Sequence, residues 1–131
     1  MRLLLDTHVA LWAITDDPLL APRARDWIAD PDNEIFVSAA TVWEIAIKHA
    51  LGPGRRGAMP VSGTTASAHF AAAGYVELPI TVAHAARVDT LPLLHQDPFD
   101  RLLVAQALHE QLRLLTHDAL LAGHGNHVIV V

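Results

Sequence analysis

Four acidic residues of this chain stand where apolar segments begin or end, and together they could bind a hard metal ion. Asp6 follows three leucines, Glu44 lies within VWEIAIK, Asp100 lies within DPFDRLLVAQA, and Asp118 follows LLTH. Clustered carboxylates repel one another at neutral pH, and a divalent cation offsets that cost. Acids in a chain without cysteine suit Mg²⁺ or Mn²⁺ better than Zn²⁺. The chemistry indicated is therefore metal-assisted hydrolysis.

The elements that must position these acids alternate between strand-like and helix-like patterns. Short apolar or β-branched runs predict strands at 2–5, 34–37, 75–78, 112–116 and 127–131. Segments with helical spacing or helix caps lie between them, at 8–14, 22–29, 39–51, 64–73, 82–91, 98–112 and 118–122. Such alternation predicts an α/β three-layer sandwich, a central and mostly parallel five-stranded sheet with helices on both faces, as a single domain over residues 1–131.

This fold would bring the acids to one edge of the sheet. In an open parallel sheet, ligand sites lie beyond the carboxyl ends of the strands. Asp6 and Asp118 each follow such an end. Asp100 begins an apolar helical stripe, and Glu44 borders the buried face of its own helix, so both are expected to point inward.

Each acid also has a purely structural interpretation. Asp97 could cap the helix that Asp100 enters, and Asp100 would then be favoured by the helix dipole alone. Glu44 and Lys48 form an i, i+4 pair, which on an exposed helix contributes about 0.2–0.5 kcal/mol. Asp6 and Asp118 could likewise be helix caps. The site hypothesis depends on the set, and we interpret Asp97 as a cap only.

Composition and charge do not exclude a nucleic-acid partner. The 131 residues are 52% hydrophobic and 18% charged, without a run of the ~20 apolar residues that a membrane span needs. The opening MRLLLD is too short for a secretory signal, and the lack of cysteine is compatible with a cytoplasmic protein. The net charge of −5 becomes −5 + 4 = −1 once the four acids bind metal. The one local basic cluster is Lys48, His49, Arg55 and Arg56, either a phosphate-steering patch or an unrelated solvated segment.

Four segments in order across the chain closely resemble the PIN-domain ribonucleases, and the nearest group is similar to the VapC-type toxins of type II toxin–antitoxin systems. The segments are LLLDTHVALW, VSAATVWEIAIK, LPLLHQDPFDRLLVAQA and LLTHDALL. By this resemblance Asp6, Glu44, Asp100 and Asp118 match the catalytic acids of the family. Thr7 and Thr116 match the hydroxyl positions that support the first and last of them.

The resemblance implies an endoribonuclease that depends on Mg²⁺ or Mn²⁺ and leaves 5′-phosphate and 3′-hydroxyl ends. Asp6, Asp100 and Asp118 are expected to bind the metal and Glu44 to orient the attacking water. It also implies an RNA substrate, a cognate antitoxin and a homodimer. The loop at 52–63 varies in such proteins, so Arg55 and Arg56 receive no role from the family pattern, and neither His8 nor His95 is interpreted as a ligand.

Three alternatives remain open at this stage. A phosphatase could use Asp6 as its nucleophile, although residue 8 is not the second acid that such chemistry wants. A zinc module could use His124 and His127, but no third ligand has suitable spacing. A non-catalytic partner-binding domain would have no need for four repelling acids. The early helices carry four large or apolar residues for which core packing is the first explanation and a protein–protein interface the second: Trp12, Ala13, Trp27 and Ile28.

Overall fold

Five short strands form one parallel sheet at the centre of the molecule. A computed structural model describes all residues, 1–131. The strands are β1 (Arg2–Leu5), β2 (Glu34–Ser38), β3 (Val76–Leu78), β4 (Arg113–Thr116) and β5 (Val128–Val130). They lie in the order β3-β2-β1-β4-β5, and each neighbouring pair is parallel. The predicted α/β fold is confirmed, and the sheet is parallel throughout.

Helices fill the connections between the strands. They are α1 (Thr7–Thr15), α2 (Pro22–Ala29), α3 (Ala39–His49), α4 (Gly63–Ala72), α5 (Val82–Arg87) and α6 (Pro98–Glu110), with 3₁₀ segments at Val88–Thr90 and Ala119–His124. Helix α5 is shorter than predicted, because the chain tightens to a 3₁₀ turn after Arg87. None of the helices has both the length and the apolar character needed to cross a bilayer.

The sheet separates two apolar cores, because successive strand residues point to opposite faces. In β1, Leu3 and Leu5 belong to the core beneath α1, α2 and α4, which we call the α1-side core. Leu4 belongs to the core beneath α6, the α6-side core. All three leucines are fully buried, which is why this strand reads as a continuous apolar run and does not alternate with polar residues.

The early helices pack inward more than the sequence suggested. Trp12, Ala13, Trp27 and Ile28 are all partly buried against the α1-side core, so core packing explains them better than an interface does. Large apolar side chains are exposed elsewhere, on the outer side of α3 and in the later connections.

The chain reverses its direction of travel across the sheet at β1. It runs outward from β1 to β2 and β3, and then crosses back to place β4 and β5 on the other side. The carboxyl ends of β1 and β4 are adjacent, and the backbone N–H of Asp6 donates to Leu115 O at 3.0 Å. This topological switch point is where open α/β sheets form their ligand crevice.

Candidate active site

Asp6 lies at the switch point with both carboxylate oxygens already oriented. It follows β1 and caps α1, since Oδ1 accepts a hydrogen bond from the Val9 N–H at 2.8 Å. Its Oδ2 accepts one from the Thr116 hydroxyl at 2.5 Å, and the residue is only 3% exposed. The cap interpretation and the site interpretation are thus compatible, because the hydrogen bonds of the cap hold the carboxylate still.

Asp118 is tied to the same hydroxyl. Its backbone N–H donates to Thr116 Oγ1 at 3.0 Å, while its own Oδ1 accepts from the Leu120 N–H and caps the 3₁₀ helix. Thr116 therefore contacts both the first and the last acid, whereas the resemblance placed it beside the last one only. Thr7 has a different contact: its hydroxyl lies 3.2 Å from that of Thr41, a fully buried residue of α3. It joins α1 to the helix that carries Glu44.

Glu44 is buried, which contradicts its interpretation as half of an exposed ion pair. It is 3% exposed, and Oε2 accepts a hydrogen bond from Lys48 Nζ at 2.5 Å. Its other oxygen, Oε1, is buried without a hydrogen-bond partner. A buried polar atom left unpaired costs about 1–3 kcal/mol, and more when it is charged. Such an atom is a natural acceptor for a hydrogen bond or a cation.

Asp100 lies in the first turn of α6, and Asp97 is the cap of that helix. Asp97 Oδ1 accepts from the N–H groups of Phe99 and Asp100, which confirms its interpretation as a cap. Burial raises the pKa of the Asp100 carboxyl from 3.8 to about 7, and the negative charges of Asp97, Asp6, Glu44 and Asp118 add to that rise. The other three acids of the set are therefore close enough to act on Asp100.

We call Asp6, Glu44, Asp100 and Asp118 the acidic site: the charges of the other three act on Asp100, but the four acids do not form a compact ligand set. No three of them have ligand oxygens within 4.8 Å of one another; the one such set in the molecule is His84, His109 and Glu110. Mutual repulsion favours this spacing. A hard divalent cation of the Mg²⁺ or Mn²⁺ type fits these residues for three reasons. All of the donors are oxygens, Glu44 Oε1 has no hydrogen-bond partner, and the pKa of Asp100 is raised.

The histidine set lies at the far end of α6, and its hydrogen bonds identify it as structural. His84 Nδ1 accepts from the Thr81 N–H at 3.1 Å, so the ring proton lies on Nε2, which is 2.7 Å from Glu110 Oε1. A metal ligand would need a lone pair at that Nε2. The set is a helix cap joined to a hydrogen bond between α5 and α6, and it is not part of the acidic site.

The zinc alternative finds no support around the later histidines. His124 Nε2 lies 3.2 Å from His95 Nε2, but neither belongs to a set of three ligand groups, and neither does His127. Burial lowers the pKa of both His124 and His127. His95 and His8 were not interpreted as ligands, and neither contacts a carboxylate.

One neighbour of the acids was missed at the sequence level. His117 Nδ1 lies 3.7 Å from Asp6 Oδ2, and its side chain is 41% exposed. The neighbouring Asp6 carboxylate raises the pKa of His117, and the charges of Asp118 and Asp100 act in the same direction. Its position between Thr116 and Asp118 in the sequence was the available signal.

The burial of Glu44 leads to a prediction for Lys48. We expect Lys48→Met to lower the free energy of unfolding by about 2 kcal/mol in EDTA, since it leaves a buried carboxylate without its cation. This exceeds the ~0.2–0.5 kcal/mol of an exposed helical pair. The value lies below that of a fully buried pair, because the Lys48 side chain is 28% exposed. Urea unfolding monitored by circular dichroism measures the change.

A double-mutant cycle provides the control for this prediction. In a Glu44→Gln background, Lys48→Met should cost less than about 0.5 kcal/mol, because no buried charge is left unpaired. An equal cost in both backgrounds would assign the effect to Lys48 packing and contradict the ion-pair explanation.

The sequence and the fold were compared with those of known proteins. The PIN domain family model matches residues 3–123. No curated protein matches the sequence.

Several solved structures share the fold. VapBC2 from Rickettsia felis, bound to a DNA fragment from its promoter, superposes with a TM-score of 0.71 at 15% identity, covering 100% of this chain and 98% of that one. VapC20 of Mycobacterium tuberculosis, a toxin that cleaves the sarcin–ricin loop, has a TM-score of 0.64 at 15% identity, covering 96% and 98%. A toxin–antitoxin complex from Klebsiella pneumoniae has a TM-score of 0.57 at 20% identity, covering 97% and 95%. Identities this low show only that the fold is shared. Any argument for function must therefore rest on the side chains of this chain.

Proposed function

Because the chain belongs to the PIN domain family, we propose that it is an endoribonuclease dependent on Mg²⁺ or Mn²⁺, the toxin of a toxin–antitoxin pair. One observation carries the proposal: the charges of Asp6, Glu44 and Asp118, from three other segments of the chain, act on the carboxyl of Asp100, and Asp6 lies at the switch point of the sheet. The electrostatic cost of grouping these acids appears in the pKa of Asp100, which is raised to about 7. Burial is the larger cause of the rise, and the neighbouring acids add to it. A protein keeps such an arrangement when binding or catalysis offsets the cost.

In this proposal Asp6, Asp100 and Asp118 would hold the metal. The bound ion would supply a water of lowered pKa and would stabilise charge on the phosphate and the leaving oxygen. The chain itself fixes the geometry: the Val9 N–H and the Thr116 hydroxyl hold Asp6 in one orientation. Holding reacting groups in place in this way is a large part of enzymatic rate acceleration.

Glu44 would orient the water that attacks phosphorus. Its Oε1 has no hydrogen-bond partner, so it can accept a hydrogen bond from that water, while Lys48 holds Oε2. Attack breaks the bond between phosphorus and the 3′ oxygen, and the leaving oxygen takes up a proton. The products are a 5′-phosphate and a 3′-hydroxyl end.

Two other functions fit the geometry less well. A phosphatase would need Asp6 as a free nucleophile, yet both of its oxygens accept hydrogen bonds and it is 3% exposed. A non-catalytic binding domain would gain stability by replacing the acids with neutral residues. A phospho-Asp6 species trapped during turnover would favour the phosphatase.

We also propose a cognate antitoxin as partner, in line with the toxin–antitoxin complex among the similar structures. A groove of about 760 Å³ between α3, α4 and β3 is lined by apolar residues that include Val42, Phe70 and Val76. Trp43 also lines it, is 55% exposed and precedes Glu44, so a segment in the groove would approach the acids. We propose in addition a homodimer, which would cover exposed apolar residues outside this groove, such as Val82 and Leu93. We assign the activity to the cytoplasm, where RNA and the antitoxin are made.

The proposal is tested by incubating purified protein with total RNA in Mg²⁺, in Mn²⁺ and in EDTA, and mapping the new ends. We expect cleavage with either ion, none in EDTA, and 5′-phosphate ends. The Asp6→Asn protein should cleave at least about 10²-fold more slowly than wild type in Mg²⁺ and in Mn²⁺, and not at all in EDTA. Equal cleavage by wild type and variant would identify a contaminating nuclease and contradict the proposal.

A further inference from the structure

Three aromatic rings form a cluster on one side of the acidic site. His8 and Trp12 lie one turn apart on α1, with ring centroids 5.8 Å apart. The ring of His117 packs edge-on against both, at 5.2 Å from His8 and 4.8 Å from Trp12. His8 and His117 are exposed, and only Trp12 also packs against the α1-side core. Core packing therefore explains one ring of the three, and the exposed pair needs another explanation.

A small cleft opens beside this cluster. His8, Leu11 and Trp12 of α1 line one side, and residues 57–60 of the loop between α3 and α4 line the other. Its volume is about 240 Å³, below the roughly 300–1,000 Å³ of clefts that enclose drug-sized ligands. The cleft therefore suits one small planar group.

The loop side of the cleft is a formed surface. Met59 is 6% exposed and belongs to the α1-side core, and its carbonyl oxygen lies 3.0 Å from His49 Nδ1. These two contacts anchor the loop at the cleft, whereas Arg55 and Arg56, just before it, are exposed. A ligand would meet an existing cleft and would not have to create one.

The charges around the cleft favour a neutral base over a phosphate. No lysine or arginine lines the cleft, and Asp17 does, so a phosphate would be repelled. A nucleobase is neutral and aromatic, and stacking on aromatic side chains is how proteins commonly bind unpaired bases. The exposed Arg55 and Arg56 could meet the RNA backbone outside the cleft.

The cleft shares His8 and Trp12 with the aromatic cluster, and the third ring of that cluster, His117, lies outside the cleft and beside Asp6. His117 Nδ1 is 3.7 Å from Asp6 Oδ2, and His8 is two residues after Asp6. A base stacked on these rings would belong to a nucleotide at or beside the bond to be cut. Its fit would then influence which bonds are cleaved.

We propose that the cleft between His8, Trp12 and residues 57–60 binds one unpaired nucleobase of the RNA, and that His117, which packs on both rings, links this cleft to the acidic site. The inference rests on the proposed ribonuclease function and adds a residue-level site for substrate recognition. It predicts a preference for single-stranded over duplex RNA, because a paired base cannot enter the cleft.

The test measures binding separately from cleavage. A fluorescein-labelled single-stranded 12-nucleotide RNA of mixed sequence is titrated in Mg²⁺ with protein carrying Asp6→Asn, so that the RNA stays intact, and anisotropy is recorded. Adding Trp12→Leu should weaken binding about 10-fold or more, the scale of one lost base stack. Adding His8→Ala should weaken it about 3-fold, and Trp12→Phe, which keeps a ring, should change it less than 3-fold. The matched control is Trp27→Leu, another partly buried tryptophan on a different helix, which should leave the affinity unchanged.

Unchanged affinity in a folded Trp12→Leu protein, or an equal loss in Trp27→Leu, would overturn the inference. If Trp12→Leu does not fold, the exposed His8→Ala decides, and full affinity there would overturn it too. A wild-type protein that cuts no RNA would contradict the proposed function. Trp12-dependent binding by that same protein would still support the cleft as a base-binding site.

Discussion

Asp6→Asn is expected to lower the rate of RNA cleavage by about 10²–10⁴-fold while leaving the fold intact. Loss of a metal-binding carboxylate removes several kcal/mol of transition-state stabilisation, and each 1.36 kcal/mol is a factor of ten in rate. The fold should survive, because an asparagine Oδ1 can still accept the Val9 N–H and cap α1. Single-turnover cleavage of a labelled RNA measures the rate.

The metal dependence of stability should change in parallel. At a Mg²⁺ concentration of 100 times Kd, the wild type should gain about 2.7 kcal/mol, and Asp6→Asn much less. Thermal melts with and without Mg²⁺ measure this gain. An equal gain in both proteins would show that Asp6 does not hold the ion.

Asp97→Asn is the matched control for this experiment. It removes one negative charge near the same site, since Asp97 contributes to the raised pKa of Asp100, and the asparagine still caps α6. We expect its cleavage rate to stay within about 10-fold of wild type. A loss as large as that of Asp6→Asn would mean that general charge, and not ligation by named residues, governs activity.

Asp100→Asn is expected to have opposite effects on activity and on stability. Cleavage should fall as it does for Asp6→Asn, whereas in EDTA the variant should be more stable than wild type. Burial and four neighbouring acids raise the pKa of Asp100 to about 7, so its ionised form is disfavoured in the folded protein. A neutral side chain removes that cost. We expect a gain of about 1–2 kcal/mol, discounted because the carboxyl is partly exposed, or roughly 5 °C in Tm.

The sign of the pH dependence follows from the same pKa. Below about pH 4 the carboxyl is protonated in both the folded and the unfolded chain, so wild type and Asp100→Asn should have similar stability. Between about pH 4 and 7 only the unfolded chain ionises fully, so wild type loses stability relative to the variant as the pH rises. Above pH 7 the difference is constant. Urea unfolding in EDTA at pH 4, 6 and 8 measures it, and a difference that shrinks with rising pH would contradict the electrostatic explanation.

Asp6→Asn and Asp100→Asn together distinguish a catalytic site from a structural one. Acids kept for folding stability would lower stability when neutralised, whereas acids kept for metal binding should raise it in EDTA. Asp6 is the less sensitive test, since its carboxylate also accepts hydrogen bonds from Val9 and Thr116. Asp100 makes no such side-chain contact, which is why its effect on stability should be the cleaner one.

Most of the fold could be predicted because its local signals agree. The leucines of β1 and the β-branched end of the chain read as buried strands, and Pro22, Ser38 and Pro98 mark helix starts where the structure has them. Local signals did not decide which apolar side chains the fold would cover. Trp12 and Trp27 were considered for an interface, but they pack against the α1-side core, and exposed apolar residues such as Trp43 lie elsewhere.

For the site, the sequence by itself determined the types and order of the four acids, the threonines beside them and the lack of any thiolate ligand. Those are properties of composition and spacing along one chain. Only the tertiary structure decided that Glu44 is buried with an unpaired oxygen, that His117 lies against Asp6, and that His8 and Trp12, which pack on His117, line a small cleft. Contacts of this kind join residues up to 111 positions apart, such as Asp6 and His117, and depend on how strands and helices pack. A helical i, i+4 pair has the same sequence whether its helix faces water or the core, and the free energy of the Glu44–Lys48 pair depends on that difference.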